Sequence, residues 1–357
     1  MATALVQPER MRNEPLPAEA LLRVENLGVG FTSRDGTVRA VDELSFELRR
    51  GEVLAIVGES GCGKSVTALS VLGLLPKPAA RVEGRILLEG RNLLSLSQRE
   101  LRKVRGNEIS MIFQEPMSSL NPVLIIGRQL RETLMLHRGL SRTQAEAQAV
   151  ELLRLVRIAE PERRVKEYPF RLSGGMRQRV MIAMALACGP KLLLADEPTT
   201  ALDVTVQAQI MRLILDLQQR TGTAVVLITH DLGVVAESAQ RVIVMYAGRK
   251  VEEAPVQALF RRPLHPYTQG LMRSIPRLAT AAATALPRIS ARPRLAEIPG
   301  VVPRLDRPMP GCAFAPRCPH ATAQCETERP PLLDRGQGHI AACWHADRLT
   351  GPFDARH

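Results

Sequence analysis

A glycine-rich stretch, GESGCGKS at residues 58–65, has the spacing of a phosphate-binding loop. It follows a short apolar run and precedes VTALSVLGLL, so we expect it to join a buried strand to a helix. Glycines let the backbone curl until successive N–H groups point at phosphate oxygens, and the helix dipole adds to the attraction. Lys64 is expected to reach the β- and γ-phosphates, and the Ser65 hydroxyl to ligate Mg²⁺. The predicted nucleotide contacts in this loop are Gly58, Glu59, Ser60, Gly61, Cys62, Gly63, Lys64, Ser65 and Val66.

Cys62 lies inside this loop and has two interpretations. It is either a small residue that packs where other loops carry serine, or a thiol whose pKa is depressed at a helix N-terminus and which is therefore oxidisable. We adopt the packing interpretation for normal function.

A second apolar run, KLLLADEP at residues 191–198, ends in two adjacent acids. Asp196, at the end of the expected strand, can join the Mg²⁺ shell. Glu197 then points toward the γ-phosphate, where a water has to be aligned and deprotonated. Together with the complete phosphate-binding loop, the two acids predict hydrolysis of a nucleoside triphosphate, with Glu197 and Lys64 among the catalytic residues.

The run LSGGMRQR at residues 172–179 lies between these two motifs. Ser173 and the backbone N–H groups of Gly174 and Gly175 should start a helix and so form an anion site. With this run, the sequence resembles the nucleotide-binding subunits of ATP-binding cassette (ABC) transporters, whose signature is LSGG-x-x-Q, here ending at Gln178. The resemblance implies that ATP is the substrate. It also implies a head-to-tail dimer, in which this anion site closes over the γ-phosphate bound by a second subunit.

The resemblance assigns roles to four further residues. Gln114, in MIFQEP, is similar to the glutamine that touches Mg²⁺ and couples to the membrane partner. Asp203 ends the ALD run of the loop that follows the acidic pair. His230, in LITHD, resembles the catalytic histidine that steadies the γ-phosphate and the attacking water, and Phe31 falls where the family stacks an aromatic ring on adenine.

The elements that position these residues follow an alternating pattern. Within residues 21–58, the runs LLRVENLGVGF and VRAVDELSFEL alternate apolar and polar residues around the turn signal SRDGT, which predicts an N-terminal antiparallel β subdomain. Strand signals then alternate with helical ones, which indicates an α/β, P-loop NTPase (RecA-like) core with a parallel sheet. Helix-capping patterns at Ser97 and Ser141 predict a helical subdomain at about 97–175. The expected organisation is a tail at 1–20, a nucleotide-binding domain at 21–255 and an irregular extension at 256–357.

The C-terminal extension is rich in proline, with fifteen of the 26 prolines in the last 107 residues. That density opposes long helices and central strands. MSSLNP at 117–122 and FRRPLHPYTQGLMRSIP at 260–276 resemble the dipeptide/oligopeptide permease group, which also includes nickel and glutathione importers. We interpret His265 and Tyr267 as parts of a structural turn, because Pro266 fixes the backbone between them.

Four of the six cysteines lie in the extension, at Cys312, Cys318, Cys325 and Cys343. A reducing cytosol disfavours disulfides. Four thiolates suit tetrahedral Zn²⁺, but the C-x2-C pairs of zinc ribbons are missing. Wider spacing can surround a [4Fe–4S] cluster, and spacing alone does not decide between the two. The resemblance favours the iron–sulfur cluster, since several subunits of this group carry one here. His320, His339 and His345 lie close in sequence and could replace a ligand.

Net charge and hydropathy bear on the possible partners of the protein and on its relation to the membrane. The net charge of +12 suits either a solvated basic surface or an anionic partner. A soluble ABC ATPase acting on nucleic acid or ribosomes is the alternative function, but its usual second cassette or coiled-coil insertion is missing, and aromatic residues make up only 3%. The longest apolar run is too short to span a bilayer, which needs about 20 residues. We expect a peripheral protein at the cytoplasmic face of the membrane. Its expected partners are a paralogous second ATPase subunit, two permease subunits and, through them, an extracytoplasmic substrate-binding protein, with no nucleic acid.

Overall fold

A computed structural model describes residues 20–33, 36–114, 119–200, 203–274, 297–303, 305–306 and 309–349. Within them the strands are β1 (Ala20–Ser33), β2 (Gly36–Arg49), β3 (Val53–Val57), β4 (Ala80–Leu88), β5 (Arg91–Asn92), β6 (Ile109–Ile112), β7 (Leu192–Asp196), β8 (Ala224–Ile228), β9 (Arg241–Tyr246), β10 (Arg249–Pro255), β11 (Leu333–Asp334) and β12 (Ile340–Ala341). The α-helices are α1 (Lys64–Val71), α2 (Gln98–Val104), α3 (Ile126–Arg138), α4 (Arg142–Leu155), α5 (Pro161–Arg164), α6 (Gly174–Leu186), α7 (Val204–Thr221), α8 (Leu232–Ser238), α9 (Val256–Arg261), α10 (Pro266–Arg273) and α11 (Ala323–Thr327). The predicted tail at 1–20 falls almost wholly outside the described residues.

The larger sheet has the strand order β11–β12–β10–β9–β3–β8–β7–β6. Its five strands from β9 to β6 pair in parallel, whereas β10, β11 and β12 pair antiparallel. Every residue of β3, β7 and β8 is buried. Continuous apolar runs of this kind are typical of parallel strands that are covered on both faces. The predicted α/β core is confirmed.

The smaller sheet is antiparallel, with the order β2–β1–β4–β5. It confirms the predicted N-terminal β subdomain. One hydrophobic cluster joins its buried residues, such as Leu22 and Leu44, to Leu54 and Ile56 of β3. The smaller sheet therefore covers one face of the larger one.

Helices α3, α4, α6 and α7 cover the opposite face of the larger sheet. Val53, Ala55 and Val57 alternate along β3 with the residues that face the smaller sheet, and they belong to a second cluster. That cluster includes buried residues of α3, α4, α6 and α7. Since successive side chains of a strand point to opposite faces, the two clusters sandwich the sheet. No helix in the described part of the chain is long and apolar enough to cross a membrane.

The helical subdomain needs one correction. Ser97 and Ser141 cap α2 and α4 with the predicted capping boxes, and α3 to α5 follow as helices. Ile109–Ile112, however, is strand β6, which pairs in parallel with β7 and belongs to the larger sheet. The run ISMI is four residues long and contains the polar Ser110, so it carries too little periodicity to be separated from buried helix by pattern alone.

The C-terminal extension is less irregular than its proline content predicts. His265 caps α10, and Pro266 occupies the first turn of that helix. The short strands β11 and β12 extend the larger sheet, where β12 pairs with β10. Residues 332–351 contain no proline, which leaves this segment free to donate the hydrogen bonds that a sheet requires.

Glu252 on β10 anchors this extension to the sheet. Its side chain is fully buried, at 0% exposure, and its carboxylate accepts hydrogen bonds from the backbone N–H groups of Leu264 (2.7 Å) and His265 (3.1 Å). His339 Nε2 lies 2.7 Å from the same carboxylate, so this candidate substitute metal ligand is already engaged. One buried acid thus joins three segments of the chain.

Replacing Glu252 by alanine is expected to lower the free energy of unfolding by about 2–4 kcal/mol, because buried donors lose their acceptor. Chemical denaturation followed by circular dichroism measures the change. Glu237→Ala, which removes an exposed carboxylate on α8, serves as the control and should leave the free energy of unfolding unchanged. Equal stability of the two variants would show that Glu252 is not an anchor.

Candidate nucleotide-hydrolysis site

The phosphate-binding loop connects β3 to α1, as its sequence predicts. Two of its glycines are sterically required. A Cβ on Gly58 (φ 152°) would lie 2.2 Å from the carbonyl oxygen of Met245, and one on Gly63 (φ 99°) would lie 2.5 Å from that of Ala40. The loop therefore curls tightly between β9 and β2, which only glycine allows.

Lys64 is buried at the start of α1, with 6% exposure. Its Nζ donates hydrogen bonds to the carbonyl oxygens of Gly58 (2.8 Å) and Glu59 (3.0 Å), which holds the ammonium group within the curl of the loop. Cys62 is also buried, and burial raises the pKa of its thiol. A protonated, enclosed thiol supports the packing interpretation of this residue.

Ser65 and Asp196 meet at the centre of the site, although 131 positions separate them in sequence. The Ser65 hydroxyl donates a 3.0 Å hydrogen bond to Oδ1 of Asp196. Burial raises the pKa of Asp196 above its usual value, and the neighbouring Glu197 adds to the shift, while the Ser65 hydrogen bond opposes it. A hydroxyl and a buried carboxylate in contact are suitable hard oxygen ligands for Mg²⁺.

Glu197 is the meeting point of the predicted catalytic groups. Its Oε2 accepts hydrogen bonds from Gln114 Nε2 and from Thr200 Oγ1, each at 2.9 Å, and its Oε1 lies 3.3 Å from Nδ1 of His230. Burial raises the pKa of Glu197, but the hydrogen bonds and the nearby charges outweigh it and hold the pKa below its usual value. Glu197 is therefore an anion at neutral pH. Its backbone has a φ of 44°, an uncommon value for a residue with a side chain.

The signature segment forms a helix start, as predicted. Ser173 is the N-cap of α6 and accepts a hydrogen bond from the N–H of Met176 at 3.3 Å. Gly175 lets α7 approach closely, because a Cβ there would lie 2.9 Å from a methyl group of Val206. Gln178 is buried and donates a hydrogen bond to the carbonyl oxygen of Pro198, so the signature helix is tied to the acidic loop.

The two remaining predicted residues, Asp203 and Phe31, lie on other elements, and neither lines the cavity that Glu197 lines. Asp203 caps α7 by accepting a hydrogen bond from the N–H of Val206 at 2.9 Å. Phe31 is half-buried on β1, opposite Val38 of β2. Residues 115–118 and 201–202, which include parts of the MSSLNP and ALD runs, lie outside the described residues.

A cavity of about 550 Å³ opens beside the acidic pair. Gly58, Glu59, Glu197 and His230 line it, whereas no residue of the signature segment, itself fully described, does so. Its wall also holds Thr199, Thr200, Leu271 and Ser274, which the sequence analysis missed. The two adjacent threonines that follow Glu197 and Pro198 could have identified Thr200 from the sequence. Leu271 and Ser274 come from the distant extension and carry no local signal.

Hydrogen bonds link some of the four extension cysteines, directly or through His345. The N–H of Cys312 donates to the carbonyl of Cys325 (2.7 Å), and His345 lies 3.5 Å from the sulfur of Cys325. Burial raises the pKa values of Cys312 and Cys318, and raises that of Cys343 to about 12, with smaller contributions from the neighbouring thiols. Among the described residues, no group of three or more Cys, His, Asp or Glu side chains is arranged to hold one metal ion.

The comparisons with known proteins agree with this geometry. The family model described as ABC transporter matches residues 41–200, and the one described as oligopeptide/dipeptide transporter, C-terminal region, matches residues 251–325. The probable peptide ABC transporter ATP-binding protein y4tR of Sinorhizobium fredii is 57% identical over 96% of this chain and 99% of its own length. The oligopeptide transport ATP-binding protein AppD of Bacillus subtilis is 51% identical over 91% of this chain and 96% of its own length.

Solved structures add the cassette fold. A dimer of the ATP-binding cassette MJ0796 in a post-hydrolysis state, bound to ADP and Pi, is 32% identical to this chain, with a TM-score of 0.59. The match covers 66% of this chain and 98% of that one. On the complete set of motifs, on this fold and on relatives matched over nearly their whole length, the chain belongs to the ATP-binding proteins of the ABC transporter family.

Proposed function

We propose that this chain is the ATP-hydrolysing subunit of an importer that carries dipeptides or oligopeptides across the cytoplasmic membrane. The observation that carries the hydrolytic part is the contact of one carboxylate, Glu197, with both Gln114 and His230. The peptide cargo is supported by the names of the relatives and by the matched C-terminal region. These favour peptides over the nickel and glutathione cargoes of the same group.

Each group has a distinct task in this mechanism. The backbone N–H groups of residues 60–66 and the ammonium of Lys64 bind the phosphates and offset the charge that develops on the γ-phosphoryl group. Ser65, Asp196 and Gln114 would hold Mg²⁺, which would offset the negative charge of the phosphates. Glu197, an anion, accepts hydrogen bonds and can polarise the attacking water, and His230 orients that water.

A second ABC ATPase subunit completes the site in this proposal. The signature N–H groups at Gly174 and Gly175 begin a helix but lie outside the cavity that Glu197 lines. They are free to face the γ-phosphate held by a partner, with Ser173 and Gln178 supporting the helix start. Asp203 would lie in the loop between the phosphate-binding site of one subunit and the signature segment of the other. The dimeric cassette of MJ0796 supports this arrangement, and the precedent of the group favours a paralogous partner.

The membrane partners would dock next to Gln114. An apolar groove of about 230 Å³ there is lined by residues that include Leu72, Leu74, Phe113 and Met181. Leu74 and Phe113 are 41% and 38% exposed and line the same groove, so they give it an exposed apolar surface. We propose that a cytoplasmic loop helix of each of two permease subunits fills such a groove, which places the chain at the cytoplasmic face of the membrane. The substrate-binding protein would join from the other side, through the permeases.

The cysteines of the extension are proposed to hold a [4Fe–4S] cluster, with zinc as the alternative. Four thiols in one electrostatic neighbourhood are a suitable donor set for either. The raised pKa values of Cys312, Cys318 and Cys343 mean that a bound cation would be needed to hold these three groups as thiolates. The cluster would cross-link segments of an extension that has little hydrophobic core of its own.

Glu197→Gln is expected to bind MgATP but to hydrolyse it at least about 100-fold more slowly, because the amide cannot accept the proton of the water. Steady-state phosphate release by the assembled transporter measures the rate. Glu237→Gln is the matched control, since it neutralises an exposed carboxylate outside the site. Near-normal turnover by Glu197→Gln would contradict the role assigned to it.

The cargo is tested by uptake. Cells that lack the chromosomal copy and carry the wild-type chain are expected to import labelled di- and oligopeptides, and cells that carry Glu197→Gln are not. Active ATP hydrolysis without peptide uptake, but with uptake of nickel or glutathione, would reassign the cargo and leave the enzyme activity intact.

The full chain, purified without oxygen, is expected to contain about four iron and four sulfide ions. Cys343→Ser should lose them, whereas Cys188→Ser, a buried free cysteine outside the extension, should not. Elemental analysis and sulfide determination decide the point. Zinc without iron would favour the alternative, and the absence of both would reject a metal-holding extension.

A further inference from the structure

Arg317 lies in a short 3₁₀-helix of the extension, Ala315–Arg317, between Cys312 and Cys318. Its side chain is 4% exposed and forms a two-pronged ion pair with Glu59 of the phosphate-binding loop. Nη1 donates to Oε2 at 2.7 Å, and Nη2 donates to Oε1 at 3.1 Å. A paired arginine fork fixes both the position and the plane of the carboxylate. The partners lie 258 positions apart in sequence.

The backbone of Glu59 is held by the same extension. Its N–H donates a 2.8 Å hydrogen bond to the hydroxyl of Tyr267, which is completely buried on α10. Both the amide and the side chain of Glu59 are therefore committed to the extension, although this residue was predicted to contact nucleotide. Glu59 is thus the residue through which the extension contacts the phosphate-binding loop.

Tyr267 and Arg317, which bind Glu59, are themselves rigidly packed. The rings of Tyr246, Tyr267 and Phe314 are in mutual contact, with centroids 4.6–5.5 Å apart. The guanidinium of Arg317 lies over Tyr246 and Phe314, and it donates hydrogen bonds to the carbonyl oxygens of Ile298 and Pro299. Because Arg317 has this many fixed partners, its position changes little. Arg317 therefore determines the position of Glu59, and with it that of the phosphate-binding loop.

We propose that Arg317 and Tyr267 are positioning residues for the phosphate-binding loop, so that the C-terminal extension sets the affinity of the ATP site. The inference rests on the proposed nucleotide site. A phosphate-binding loop binds tightly only when its N–H groups already converge, because ordering them on binding costs affinity. Two contacts at Glu59, one residue after the glycine that leaves β3, hold the loop in shape from outside the cassette.

The test is a double-mutant cycle on the full chain, with MgATP affinity measured by titration calorimetry. Arg317→Gln and Glu59→Gln should each raise the Kd on the order of tenfold, as expected for the loss of one charge-assisted contact. The double variant should bind no more weakly than the weaker single variant, since both remove the same interaction. Tyr267→Phe should also raise the Kd, and Arg317→Lys should restore part of the affinity lost in Arg317→Gln.

A merely structural arginine would behave differently. Arg329→Gln is the control, because this extension arginine pairs with Glu43 (2.7 Å) instead of the loop, and the affinity should not change. In hydrolysis assays Arg317→Gln should raise the KM for MgATP, while its kcat at saturating MgATP stays within about twofold of the wild-type value, because the catalytic groups are untouched.

The outcomes separate cleanly. Wild-type affinity in Glu59→Gln, or additive losses in the double variant, would overturn the proposal. If Arg317→Gln does not fold, Glu59→Gln still decides, since it leaves the contacts of Arg317 with Ile298 and Pro299 in place. Failure of the wild-type chain to bind MgATP would instead reject the proposed nucleotide site.

Discussion

The parallel alignment of β3, β8 and β7 is the constraint on which the site depends. Neighbouring parallel strands end at the same edge of a sheet, and ligands bind at that edge in open α/β folds. The phosphate-binding loop, His230 and the acidic pair each follow one of these strands. Ser65 therefore meets Asp196, and His230 meets Glu197, across more than thirty positions of sequence. The buried apolar strands supply the rigidity that these short contacts need.

The C-terminal extension is a structural part of the cassette as well as an appendage to it. Glu252 joins the extension to the sheet through buried hydrogen bonds, and Arg317 and Tyr267 join it to the loop that holds the phosphates. Burying charged groups is costly unless each finds a partner, so these contacts favour one arrangement of the extension over others. The nucleotide site thus has a wall that is built from residues beyond the cassette motifs.

Most of the site was predictable because its motifs are local. A few neighbouring residues are enough to predict the local conformation of the loop at 58–65, of the acids at 196–197 and of the capped helix at Ser173. The strand at Ile109–Ile112 was missed because a run of four residues, three of them apolar, fits a buried helix equally well. The strands β11 and β12 were missed because two-residue strands have no pattern, and only their pairing with β10 defines them. The roles of Arg317 and Tyr267 were missed because an ion pair or a hydrogen bond over 200 positions leaves no local trace.

The sequence by itself determined the chemistry of this protein: a phosphate-binding loop, a pair of acids, a signature helix and a cysteine-rich extension, in an order that identifies an ABC ATPase. These features depend on spacing within short segments, where backbone geometry leaves few choices. Only the tertiary structure decided which groups share the Glu197 carboxylate, which glycines have no room for a side chain, and that the extension grips the loop at Glu59. Those facts depend on the packing of distant segments, which is set by the whole core and not by any one stretch of residues.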